Sequence, residues 1–167
     1  MKTSHSHQPS HEHASHGNEG RPYLKFWINM GLGIVIMYVV MFSMVDTRGD
    51  FRNNINMLYM ALTMWAPMGI FMLATMPAMF PSHRTNITLY VVFALITAGS
   101  FFATRWQVGI GDRQFIASMV PHHSGAILMC SEAKLLDPEL MALCDSIAQG
   151  QRLEIEQMNR IARRLSQ

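Results

Sequence analysis

The sequence predicts an all-α membrane protein, with three transmembrane helices followed by a two-helix hairpin. Three observations lead there. Charged residues make up 14% of the chain, against roughly 25% in ordinary soluble domains. The apolar excess gathers in three runs, each long enough for a helix to cross the hydrocarbon core. After the third run, Leu136-Asp137-Pro138-Glu139 reads as a helix stop and restart, with Asp137 as N-cap and Pro138 at the first helical position.

Residues 1–22 are polar and carry His5, His7, His11, His13 and His16 among Ser, Gly, Asn and Pro. They lack the apolar content to fold alone, while histidines at this spacing can collect divalent metal loosely. A three-span region, residues 23–105, follows. Its first span is 24–45, with Trp27 where an interfacial aromatic belt would lie. Residues 46–56 form a polar loop. A second span covers about 57–80, with Pro67 and Pro77 as expected kinks, and a third covers 87–104, ending at Arg105-Trp106. Three spans put the tail and the hairpin on opposite sides of the membrane. Near the spans, Arg21, Lys25 and Arg84 stand against Arg48, Arg52, Arg105 and Arg113, a near tie that tilts toward a cytoplasmic hairpin.

Residues 106–167 form the expected metal-binding hairpin: helices over 112–135, with Asp112 as N-cap, and over 138–166. In Met119-Val120-Pro121-His122-His123-Ser124-Gly125-Ala126-Ile127-Leu128-Met129, helical spacing puts His122 and His123 about 60° and 40° to either side of Met119. A thioether and two imidazoles on one helix side are ligand chemistry for copper first and zinc second. On the second helix, Gln151, Glu154 and Met158 share a face otherwise made of Ile147, Ala148, Ile155 and Ala162. A carboxylate inside an apolar stripe must be paired, protonated or metal-bound. A reversal near residue 137 sets His123 opposite Gln151 and Met119 near Ile155. The expected cluster is Met119, His122, His123, Gln151, Glu154 and Met158, with Met129 and Cys130 as further soft donors.

The run Asp112-x-x-Phe115-Ile116-x-x-Met119-x-Pro121-His122-His123-x-Gly125-Ala126-Ile127-x-Met129, followed by Gln151-x-x-Glu154-Ile155-x-x-Met158, resembles the domain of unknown function 305 family. The resemblance implies a ferritin-like helical bundle, of which this hairpin would be half, and some relatives are periplasmic copper-binding proteins. It therefore implies a homodimer or higher oligomer that completes the four-helix bundle, in a bacterial inner membrane, with the C-terminal domain outside the cytoplasm. Gly99 and Ala103 would allow close helix approach in lipid.

Methionine, at 16 residues, is the compositional outlier, followed by eight histidines. In the second span methionines recur at 57, 60, 64, 68, 72, 76 and 79; Met30, Met37, Met41 and Met44 make a similar stripe in the first. Such stripes suit apolar packing, and thioether ladders also suit Cu(I). Cys130 and Cys144 lie seven residues either side of the turn and should face one another. They read by default as two small buried hydrophobes, with a disulfide or a soft metal site as alternatives.

Net charge +2 gives no sign of a nucleic-acid partner. Phosphate loops, dinucleotide fingerprints and nucleophile triads are absent, so no enzyme is expected. The expected function is copper binding, Cu(I) before zinc or another divalent ion, for tolerance or trafficking. The alternatives are an oligomeric copper-conducting transporter built on the methionine stripes, or a di-metal oxidoreductase. The last needs more carboxylates than Glu154 alone.

Overall fold

The computed structural model describes residues 20–166 and is all-helical. The helices are α1 (Gly20–Val40), α2 (Ile55–Thr75), α3 (His83–Arg105), α4 (Asp112–Glu132) and α5 (Pro138–Leu165), with short 3-10 turns at Met41–Met44, Arg48–Asp50 and Pro77–Met79. The segments Arg21–Met44, Ile55–Thr75 and His83–Arg105 are long and apolar enough to cross a membrane. The histidine tail lies almost wholly outside the described residues; α1 starts at Gly20 and tolerates Pro22 in its first turn. Pro77 does not kink a long second helix. Instead α2 stops at Thr75, and Met76 and Met79 fall beyond it.

The three spans pack around an aromatic centre. Phe26 and Met30 of α1, Trp65, Ala66 and Leu73 of α2, and Leu89 and Phe93 of α3 close it with Phe80. The Trp65 indole N–H donates to the Met30 carbonyl at 2.7 Å, giving a buried polar group its partner. Gly69 lets the Phe93 ring lie against the α2 backbone: a Cβ there would sit 2.8 Å from two ring atoms. At the far end the Tyr23 hydroxyl accepts from the Ser82 amide and donates to Asn86 Oδ1, tying α1 to the start of α3.

The hairpin docks on the polar loop between the first two spans, and Asn54 is the joint. Its Oδ1 accepts from the Met57 amide and caps α2, while its Nδ2 donates to the carbonyls of Arg52 and Ala117. Ala117 precedes Pro121 by four residues. Proline has no N–H, so α4 leaves that carbonyl without its helical donor, and Asn54 supplies one. Pro121 stands inside an unbroken helix for this reason. The fully buried Ser124 hydroxyl donates to Asp50 Oδ2 at 2.8 Å and accepts from the Asp46 amide at 2.9 Å. At Gly125 a Cβ would stand 3.0 Å from the Met44 carbonyl oxygen. The Ser-Gly pair beside the histidines is thus a docking surface. Gln114 accepts from the Ile55 amide, and Arg52 reaches Asn159 on α5.

Helix boundaries in the hairpin differ slightly from expectation. Gly111, not Asp112, is the N-cap of α4, so the Asp112 carboxylate lies in the first turn, where the helix dipole favours it. The helix ends at Glu132, three residues early. Asp137 caps α5 as expected, accepting from the Leu140 amide at 2.9 Å.

Two outcomes follow. Gly69→Ala should lower the melting midpoint in detergent, with an overpacking cost of about 1–3 kcal/mol. Gly99→Ala, whose Cβ would meet nothing within 4 Å, should leave it nearly unchanged. Asn54→Asp keeps the α2 cap but loses the donor to Ala117. Hydrogen exchange should then quicken in α4 around residues 117–121 while the start of α2 stays protected, and Asn54→Ala should loosen both.

Candidate functional site

α4 lies between α5 and the membrane end of the spans, and its two histidines face different neighbours. Their ring centroids are 6.5 Å apart. His122 and His123, expected together in one cluster, meet different neighbours: His123 contacts Glu154 and His122 lines a separate cleft. Adjacent helical residues differ by about 100°, and the docked Ser124–Gly125 edge fixes which way each one turns.

His123 faces α5. Its Nδ1 lies 2.9 Å from the Met119 carbonyl oxygen, and its Nε2 lies 2.7 Å from Glu154 Oε2. A carbonyl oxygen only accepts, so Nδ1 carries the hydrogen and Nε2 is the nitrogen turned to the carboxylate. Glu154 sits one turn beyond the Gln151 position that the hairpin register predicted. Its side chain is 57% exposed against 13% for His123. Burial in an apolar stripe therefore does not single out Glu154; its contact with His123 does. Gln151 and Met158 flank Glu154 at one-turn spacing, and Met158 packs against the buried Ile116, Val120, Ile127 and Ile155.

His122 faces the other way, into a cleft of about 470 Å³ between α4, α2 and the Met41–Met44 turn. Met129, expected as a soft donor, lines this cleft with His122. The methionine stripes divide accordingly. Met30 is core and Met37 packs against it, whereas Met41, Met44, Met57, Met60 and Met64 reach the cleft. Sequence reasoning missed this meeting of first span, second span and hairpin.

Cys130 and Cys144 form a disulfide, with Cα atoms 5.3 Å apart. They face each other as the register predicts. The default reading as free buried hydrophobes is overturned, and so is the assignment of Cys130 as a metal ligand, because a disulfide sulfur offers no thiolate. Closing a loop of this length stabilises by about 3 kcal/mol. Among the described residues, no three His, Cys, Asp or Glu side chains gather as a metal-binding group. A metal at the His123–Glu154 pair would draw its further donors from thioether, amide or solvent.

Residues 104–162 match the family described as "Domain of unknown function (DUF305)", covering the end of α3, all of α4 and most of α5. The chain is 31% identical over 118 residues to the "Uncharacterized protein L153" of Acanthamoeba polyphaga mimivirus, a match spanning 70% of this chain and 76% of that protein. No solved structure matches. With the hairpin matched over residues 104–162 and a relative matched over most of its length, the chain belongs to the DUF305 family.

Proposed function

We propose that the protein is a membrane-anchored metal-binding protein, with copper as the ion, serving copper tolerance or trafficking and not catalysis. The His123–Glu154 contact carries the reading. Two lone-pair atoms 2.7 Å apart need a proton or another cation between them. The hydrogen bond from Nδ1 to a backbone carbonyl is the arrangement that orients an imidazole to offer Nε2 to a metal. Glu154 is exposed and has room to move aside for an ion. Gln151, Met119 and Met158 are the neighbours that would complete the set, and the thioethers favour Cu(I) over zinc or another divalent ion.

The disulfide supports an extracytoplasmic hairpin, since such crosslinks persist in oxidising compartments. A homodimer completing a ferritin-like four-helix bundle is supported by the apolar residues α5 leaves exposed, among them Leu140, Leu143 and Ile147.

His123→Ala in the full chain should lower copper affinity at the hairpin, and double replacement of His122 and His123 by Ala should lower the chain's copper affinity by more than about tenfold, both read by chelator competition. Unchanged affinity would remove the motif from the site. A reporter active only in the cytoplasm, fused after Gln167, should be silent; activity would reverse the orientation.

A further inference from the structure

We propose a second metal site, separate from the His123–Glu154 pair, in the cleft where the hairpin meets the membrane spans. It would hold a soft monovalent cation, Cu(I), between His122 and the thioethers of Met41, Met57 and Met129. This rests on the copper-binding reading but not on the same residues.

Four observations point to it. The cleft of about 470 Å³ is walled by three separate pieces of chain: the Met41–Met44 turn, the first turns of α2, and α4. Methionine comes from each wall, so the sulfurs belong to no single amphipathic stripe that core packing would explain. His122 is the imidazole in that wall, and it turns away from the His123–Glu154 contact. The Oδ1 of Asn56, on the same wall, is buried and has no hydrogen-bond partner. Buried carbonyl oxygens are nearly always satisfied, so among the described residues this acceptor is left open to a water or ligand in the cleft.

The donor chemistry selects the ion. Among the described residues, no Asp, Glu, Lys or Arg lines the cleft. A divalent cation there would lack a neutralising carboxylate in largely apolar surroundings, which is costly. A monovalent ion that prefers sulfur and imidazole is the species such walls accommodate. The hairpin pair differs in setting a carboxylate, Glu154, beside its imidazole. The two sites thus differ in charge, and neighbouring residues of one helix turn supply both imidazoles.

The test uses the full chain in detergent or nanodiscs, with Cu(I) held by a chromophoric chelator under reducing conditions that spare the disulfide. A variant with Met41→Leu, Met57→Leu and Met129→Leu keeps side-chain volume and apolarity while removing the three sulfurs. It should bind one fewer Cu(I) per chain, or bind it at least about tenfold more weakly, while Zn²⁺ binding is unchanged. His123→Ala should lose the hairpin's metal and keep the cleft's Cu(I), and combining the two changes should remove both. If the leucine variant folds poorly by circular dichroism, His122→Ala alone decides on the same readout. Wild-type Cu(I) stoichiometry and affinity in the cleft variant would overturn the second site and leave the hairpin reading standing. Absence of any Cu(I) uptake by the wild-type chain would overturn both.

Discussion

Asn54 is the residue on which the relation between membrane and hairpin depends. One amide side chain caps the second span and supplies the donor that Pro121 denies to Ala117. A proline in mid-helix would ordinarily be a weakness, since it strands a carbonyl. Here the stranded carbonyl is the acceptor by which α4 is held to the start of α2. The buried Ser124 and the close approach at Gly125 extend the same seam along the loop of residues 46–54. The consequence is a fixed rotation of α4. With it come the opposite aims of His122 and His123.

The fold was largely legible because its signals are local. Three apolar runs, an Asp-Pro restart and the symmetric placing of Cys130 and Cys144 depend on neighbours in sequence, and the structure follows them. The errors lie at ends, where Pro77 stops α2 instead of bending it and Gly111 takes the cap position from Asp112. The site was only half legible. Periodicity could bring His123 and Glu154 to facing helix surfaces, one turn out of register. It could not decide whether adjacent histidines converge or part, because that depends on what packs against each flank of α4. Met57 and His122 are 65 residues apart in sequence, and no short-range pattern announces that they share a cleft.

Thioethers also have two roles here that composition alone cannot separate. Met30 is a filler of the aromatic centre, almost fully buried. Met68 lies on the outward face of α2, where lipid or another chain would cover it. Met41, Met57, Met60, Met64 and the largely exposed Met129 line the cleft, and for them packing is an incomplete account. The richness in methionine is thus several populations, sorted by position and not by count.

The Cys130–Cys144 crosslink brackets the most exposed stretch of the hairpin, where Leu136 stands 93% open to solvent. That tip is the natural place for a protease to cut. A single nick between the two cysteines would sever the backbone without releasing α5, since the disulfide still joins the pieces and Arg52 still reaches Asn159. The scar would be silent until a reductant arrived. Damage at the outermost point and loss of the domain thereby become separate events, divided by the redox state of the surroundings.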